Sequence, residues 1–145
     1  RIEIGKIAPA RIENSMGMSF QHLVAIGAGG ALGAVGRYGV MVAVGHWVGH
    51  GFPYATLIVN LSGAFLLGAF IELSALAWSP SPEMRSFIVV GVLGAFTTFS
   101  TFSLDIHLLW MRGETLAAFG YALISVVLCV VGLFAGLALM RVILS

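Results

Sequence analysis

Residues 86–104 read SFIVVGVLGAFTTFSTFSL and contain no Asp, Glu, Lys or Arg side chain. A run of this length is about enough for one helix to cross roughly 30 Å of hydrocarbon. Its centre is unusual, because five Ser or Thr residues and three phenylalanines occupy the eight positions 96–103. Glycine and consecutive threonines weaken a helix, and hydroxyl groups can satisfy backbone atoms that a break sets free. The stretch therefore predicts a transmembrane helix that is discontinuous around Gly94 to Thr98.

Three other uncharged runs surround this one along the chain. They cover residues 19–36, 38–71 and 115–140, with 18, 34 and 26 residues respectively. Each is long enough for a helix of about 20 residues. The predicted spans are 22–46, 55–77, 86–111 and 115–140. Because the connections are short, neighbouring helices should run antiparallel, and the fold class predicted is an all-α membrane protein with four transmembrane helices.

The composition excludes several other classes of protein. Of the 145 residues, 59% are hydrophobic and 9% are charged, with a mean hydropathy of +1.04. A soluble domain carries about 25% charged residues, so this chain has too few to face water on all sides. The formal net charge of +1 gives no electrostatic reason to bind nucleic acid.

The first 15 residues (RIEIGKIAPARIENS) differ from the rest, because they hold three of the seven basic and two of the six acidic residues. We expect residues 1–15 to be a leader, either upstream or expression-derived, with the natural start at Met16 or Met18. The four-helix subunit is then residues 16–145.

The basic residues after this leader are shared almost evenly between the two sides of the membrane. Arg85 and Arg141 fall on one side, and Arg112 falls on the other, with Arg37 near that same boundary. So small a bias barely prefers either orientation. Four helices in a chain of 15.3 kDa also leave little room for a water-filled pore. If the protein transports a solute, we expect an oligomer, most simply a two-fold dimer that can be antiparallel.

Polar side chains form two stripes at helical spacing inside the apolar spans. Thr56, Asn60 and Gly63 lie on one helix face, and Tyr121, Ser125 and Cys129 lie on another. Both stripes offer hydrogen-bond donors and neither contains a carboxylate. Such a lining suits an anion or a neutral solute better than a proton or a metal cation. Hydrogen bonding between helices is the structural alternative for either stripe.

The broken helix adds two further chemical possibilities. Unwound backbone carbonyls at such a break can coordinate a small cation. Beyond the break, Phe99 and Phe102 share one helix face. The edge of an aromatic ring carries partial positive charge and could face an anion, whereas core packing is the alternative role of these rings.

Three blocks of sequence resemble the Fluc fluoride channels, which are also called CrcB proteins. The blocks are residues 29–38 (GGALGAVGRY), 56–68 (TLIVNLSGAFLLG) and 91–102 (GVLGAFTTFSTF). The resemblance covers essentially residues 19–141, and the third block is the most specific.

The resemblance implies an antiparallel, dual-topology homodimer with two fluoride pores and one structural sodium ion at its centre. Phe99 and Phe102 would line the pore with ring edges, and Asn60 would donate to fluoride. Thr56, Tyr121 and Ser125 would continue the polar path. Arg37 would stand at the mouth of an aqueous vestibule, where its charge attracts anions. The backbone carbonyls of Gly94 and Thr97 from both subunits would hold the sodium.

The implied function is passive, electrogenic export of cytoplasmic fluoride across the inner membrane of a prokaryote, which would give resistance to fluoride. A small dual-topology multidrug exporter is the alternative, but proton coupling needs a carboxylate deep in a span. Glu72 and Asp105 both fall toward predicted helix ends. An enzyme is not expected, because Asp105 and His107 are two residues apart on a helix and point away from each other.

Overall fold

The computed structural model describes residues 19–49 and 51–144, and every regular element in those ranges is helical. Four of its helical segments are long and apolar enough to cross a membrane, as the sequence predicts. The single helices are α1 (Phe20–Val48), α2 (Tyr54–Leu76), α4 (Phe99–Met111) and α5 (Thr115–Leu144). The run of residues 82–96, here called α3, joins Pro82–Arg85, the π-helix Ser86–Leu93 and the last turn Gly94–Phe96. The predicted leader, residues 1–15, lies outside the described ranges.

The third crossing starts four residues before its predicted first residue, 86. Ser81 and Pro82, which lie in the predicted connection between the second and third spans, form the start of the helix. Ser81 Oγ accepts a hydrogen bond from the Met84 N–H at 3.2 Å, and Pro82 stands in the first turn, where its missing N–H costs nothing. The sequence Ser79-Pro80-Ser81-Pro82 therefore ends in a helix N-cap at Ser81.

The break in the third crossing lies at Thr97 and Thr98. Both residues have extended backbone, with ψ angles of 157° and 116°, and α4 begins immediately after them. The segment Pro82–Met111 has 30 residues, so the break is close to its middle. Gly94 still belongs to the last turn of α3, and the break is therefore shorter than the predicted residues 94–98.

Glycines bring α1 and α3 into backbone contact. A Cβ added at Gly33 would overlap the Val92 carbonyl group, and one added at Gly91 would lie 2.9 Å from the Ile26 carbonyl oxygen. Only glycine permits this approach. The π-helical turns on the α3 side are a feature that the sequence analysis did not anticipate.

Helices α2 and α5 also pack through glycines that bring their backbones into contact. A Cβ at Gly136 would overlap the Phe65 carbonyl oxygen, and a Cβ at Gly68 would overlap that of Leu133. Small residues allow this close contact between membrane helices. At the ends of the same two helices, Arg141 Nε lies 2.7 Å from Glu72 Oε1, and Glu72 is buried. Gly68 and Gly136 therefore serve the packing of α2 against α5.

Candidate functional site

The broken crossing is tied to α2 by one side chain, Asn60. Its Nδ2 donates to the Thr98 carbonyl oxygen at 3.0 Å, and its Oδ1 accepts from the Thr98 N–H at 2.7 Å. One carboxamide thus satisfies both backbone groups of a single residue in the break. An amide NH2 carries two hydrogens, so Asn60 keeps a second N–H for another acceptor.

Thr98 also caps the helix that follows the break. Its Oγ1 accepts from the Thr101 N–H at 3.2 Å and donates to Thr101 Oγ1 at 3.0 Å. Ser, Thr, Asp and Asn are the residues that satisfy free N–H groups at helix starts in this way. The sequence analysis did not single out Thr98, although a threonine three residues before a second threonine at a predicted break was an available signal.

These hydrogen bonds leave two carbonyl groups without their helical donors. In a continuous helix, the N–H of Thr98 would donate to the Gly94 carbonyl, and that of Thr101 to the Thr97 carbonyl. Here both N–H groups donate to side-chain oxygens instead, those of Asn60 and of Thr98 itself. Gly94 and Thr97 are the two residues whose carbonyls the sequence analysis assigns to a cation. Among the described residues, no cluster of three His, Cys, Asp or Glu side chains could hold a metal.

A cavity of about 350 Å³, here called the inner groove, lies beside the break. Its lining includes five of the residues predicted for the site. The nine lining residues are Asn60, Thr97, Thr98, Phe99, Phe102, Ser125, Val126, Cys129 and Val130. None of them carries a formal charge, and the groove is open on one side of the single chain.

Ser125 supplies a hydroxyl group to the lining of the inner groove. Ser125 is 4% exposed, and its Oγ has no hydrogen-bond partner in the part of the chain that the structure describes. A buried, unpaired hydroxyl is costly, and such groups in native proteins have a specific reason. Its position in the groove makes it available to a bound solute.

The two predicted phenylalanines have unequal surroundings. Phe102 is 8% exposed and lies against Tyr121, with ring centroids 5.4 Å apart. Phe99 is 77% exposed, although its ring is only 5.4 Å from that of Phe102. One ring is therefore fixed in the core of the chain, and the other projects from it beside the groove.

A second cavity of about 770 Å³, here called the outer cavity, lies at the end where α1 and α4 stop. Its lining contains charged or titratable groups: His46, Asp105 and Arg112. Thr56 also lines it and is buried. Asp105 and Arg112 are residues that the sequence analysis did not assign to the site.

Tyr121 lies between residues of the two cavities and is in the lining of neither. It is 1% exposed, its ring contacts Phe102 in the lining of the inner groove, and its hydroxyl donates to Asp105 Oδ2 at 3.2 Å in the lining of the outer cavity. Thr56 lines the outer cavity and Ser125 lines the inner groove, and the role of these residues with Tyr121 as one polar path stays a prediction.

Arg37 lines neither of these cavities, although its neighbour Tyr38 lines the outer one. The cation in the outer cavity is Arg112, whose Nη2 donates to the Gly51 carbonyl at 2.9 Å and whose Nε lies 3.4 Å from Glu114. The vestibule role of Arg37 stays a prediction.

Comparison with known proteins gives consistent results along almost the whole chain. A family model described as CrcB-like protein, Camphor Resistance (CrcB), matches residues 24–137. A protein of Rhodospirillum centenum named fluoride-specific ion channel FluC is 54% identical over 119 residues, which cover 82% of this chain and 94% of that protein. Proteins of the same name from Nitrobacter winogradskyi and Hahella chejuensis are each 48% identical, covering 87% and 88% of this chain and 100% of each relative.

Proposed function

The chain belongs to the CrcB-like family, and from that premise we propose that it is a fluoride-selective ion channel for passive, electrogenic export of cytoplasmic fluoride. The observation that carries the proposal is the inner groove, where Asn60, Phe99 and Ser125 line one uncharged cavity. The names of the relatives support fluoride as the ion.

Fluoride is small and tightly hydrated, so it crosses only where other donors replace its water without holding it too strongly. The groove supplies the free N–H of Asn60, the hydroxyl of Ser125 and the ring edges of Phe99 and Phe102. None of these groups carries a full positive charge that would trap the ion. A narrow file of such donors would reject chloride because of its larger radius.

We extend the path to the outer cavity through Tyr121 and Thr56. Arg112 in that cavity would raise the local concentration of anions. Arg37 would do so at the mouth of the vestibule that the family resemblance implies. Asp105 accepts a hydrogen bond from the Tyr121 hydroxyl, which fixes the orientation of that hydroxyl. The Asp105 carboxylate would therefore already hold a hydrogen bond at the point where fluoride passes.

The proposed assembly is a homodimer of two inverted copies. Its support is that the inner groove is open in the single chain and that Phe99 projects beside it with 77% of its surface exposed. A second copy would close the groove into a pore. The even distribution of basic residues between the two sides allows both orientations in the membrane.

A sodium ion fits the chemistry of the break. The carbonyls of Gly94 and Thr97, whose helical donors are engaged elsewhere, would hold it together with their counterparts in the second copy. Hard cations prefer oxygen ligands of this kind. The ion would neutralise carbonyl dipoles between the copies and need not move during conduction.

In the cell, we propose that the protein lies in the inner membrane of a prokaryote and confers resistance to fluoride. Hydrogen fluoride enters from acidic surroundings and dissociates inside, and a passive channel would let the anion leave. The four apolar helices make the chain a multi-pass membrane protein.

The direct test is efflux from liposomes that contain the purified protein, followed with fluoride and chloride electrodes. We expect rapid fluoride loss that depends on valinomycin and little chloride loss. Phe99→Ile retains much of the side-chain bulk but removes the ring edge, so fluoride efflux should fall by about ten-fold if the edge faces the ion.

The matched control is Phe134→Ile. Phe134 is 63% exposed on α5 and lies outside both cavities, so its replacement should leave fluoride efflux unchanged. Equal efflux from the Phe99 and Phe134 variants, both folded, would contradict the ring-edge role. No fluoride efflux from folded wild-type protein would overturn the channel proposal, and proton-driven dye efflux would then favour the multidrug exporter.

The exporter has less support in this structure. Glu72 is buried but paired with Arg141, and Asp105 accepts a hydrogen bond from Tyr121. A coupling carboxylate must exchange protons with water during transport, and a buried carboxylate held by an ion pair is poorly suited to that role.

A further inference from the structure

Gly63 is the third residue of the stripe on α2, and the proposed function gives it no role. It is buried and lies three residues beyond Asn60, so the two residues share one face of the helix. A Cβ added at Gly63 would overlap the methyl carbon Cγ2 of Thr97 and would lie 3.2 Å from Cδ1 of Phe96. Gly63 therefore leaves the space that the Thr97 methyl group occupies.

The Thr97 side chain is held on two sides. Its Oγ1 donates to the Leu93 carbonyl oxygen at 3.0 Å, and its methyl group lies against Gly63. A β-branched side chain has few allowed rotamers, so contacts at both of its branches also restrict the backbone that carries it. At Thr97 that backbone is extended, with a ψ angle of 157°. These two contacts therefore set the position from which the chain enters the break.

The peptide unit that follows carries one of the carbonyls proposed for sodium. The Thr97 carbonyl and the Thr98 N–H belong to one planar trans unit, in which the two groups point in opposite directions. Asn60 Oδ1 accepts from that N–H at 2.7 Å, so Asn60 also sets the direction of the Thr97 carbonyl. A methyl group added at Gly63 would push Thr97 away from α2 and lengthen this hydrogen bond.

We propose that Gly63 is a positioning residue for the proposed sodium site. By admitting the Thr97 methyl group, it keeps the peptide between Thr97 and Thr98 within reach of Asn60 and so directs the Thr97 carbonyl. The inference rests on the proposed function, because sodium binding by that carbonyl is part of it. Replacing a residue that orients a metal ligand typically lowers metal affinity by about 10- to 100-fold.

The first experiment measures the melting temperature of the purified protein against sodium concentration, with N-methyl-D-glucamine as the replacement cation at constant ionic strength. A ligand that binds only the folded state raises stability once its concentration exceeds its Kd, so the onset of the rise reports the sodium affinity. We expect the onset for Gly63→Ala at a sodium concentration about ten-fold or more above that for the wild type. An unchanged onset in a folded Gly63→Ala protein would overturn the positioning role.

A second variant removes the obstructing atom. Serine lacks Cγ2 but keeps the hydroxyl that donates to Leu93, so Gly63→Ala combined with Thr97→Ser should regain an onset close to that of the wild type. Phe96 would only need to shift its ring by a few tenths of an ångström. If Gly63→Ala fails to fold, the double variant decides: a folded protein with a near wild-type onset supports the role, and loss of folding or of the sodium response overturns it.

The matched control is Gly132→Ala. Gly132 is also buried, and a Cβ there would lie 2.6 Å from a side-chain methyl carbon, Cδ1 of Leu61. Neither residue lines the inner groove. Gly132→Ala should therefore lower the melting temperature without sodium and leave the sodium onset unchanged. An onset shifted as far as that of Gly63→Ala would show that the sodium response follows overall stability, which would overturn the role of Gly63.

The wild type separates this inference from the proposed function. A wild-type melting temperature that does not respond to sodium would refute the sodium site and the role of Gly63 with it. A wild-type response that Gly63→Ala retains at the same onset would leave the sodium site standing and overturn only the role of Gly63. Fluoride efflux from the same wild-type preparation measures the proposed conduction independently of sodium affinity.

Discussion

The pair α2 and α5 and the broken crossing of α3 and α4 show two ways of building a membrane helix. The α2 and α5 helices are unbroken and pack through glycines whose added Cβ atoms would overlap a partner backbone. The broken crossing instead stops at Thr97 and Thr98, where an asparagine and a threonine side chain satisfy the freed N–H groups.

The difference teaches where function can reside. Backbone packing tolerates no added atom where the two helices touch. The break frees two carbonyls and gathers uncharged donors beside a cavity. In this protein the glycine contacts between α2 and α5 are therefore the scaffold, and the candidate site is the break together with the side chains of α2 and α5 that line the inner groove. Three sets of substitutions test that division, in decreasing order of expected effect.

Substitution in the scaffold should have the largest effect on stability. In Gly136→Val, the new Cβ would overlap the Phe65 carbonyl and lie 2.8 Å from the Ala69 nitrogen, so the helices must separate. We expect a loss of about 3 kcal/mol or more. Gly120→Val on the same helix meets nothing within 4 Å and should change stability by only about 0.5 kcal/mol. Size-exclusion chromatography after heating measures both, and similar melting temperatures would contradict the packing argument.

Substitution of Asn60, which joins α2 to the break through hydrogen bonds to Thr98, should affect both stability and fluoride flux. Asn60→Ala removes the two hydrogen bonds to Thr98, at a cost of about 2 kcal/mol. Fluoride efflux should fall by about ten-fold, because a donor is lost and the break is less well fixed.

The control for Asn60 is Ser62→Ala. The Ser62 hydroxyl donates only to carbonyls of its own helix, those of Ile58 and Val59, so stability and efflux should both stay near wild type. Normal fluoride efflux from a folded Asn60→Ala protein would show that the hydrogen bonds between Asn60 and Thr98 have a structural role only.

The smallest effects should come from the two threonines of the break, and they should be unequal. Thr98→Val removes the cap of α4, at about 1 kcal/mol. Thr97→Val removes only a hydroxyl that donates to the Leu93 carbonyl of its own helix, and the main-chain carbonyl proposed for sodium remains. We expect a change of about 0.5 kcal/mol or less for Thr97→Val, with unchanged dependence of melting temperature on sodium. A Thr97 variant that is less stable than the Thr98 variant would reverse the assignment.

The sequence alone determined the four apolar helices, the interruption of the third and most members of the site. Uncharged length measures a membrane crossing, and helical spacing shows which polar residues share a face. Asn60, Phe99, Phe102 and Ser125 were all identified in this way and line one groove. Resemblance to a known family supplied their proposed roles.

Only the tertiary structure decided how these residues are engaged. Which N–H finds which oxygen across two helices depends on their relative position, so the pairing of Asn60 with Thr98 could not be read from spacing. The outer cavity likewise depends on where separate helices end, and its lining includes Asp105 and Arg112 but not Arg37. Local pattern fixes the type of element and its faces, whereas contacts between residues distant in sequence are set by packing.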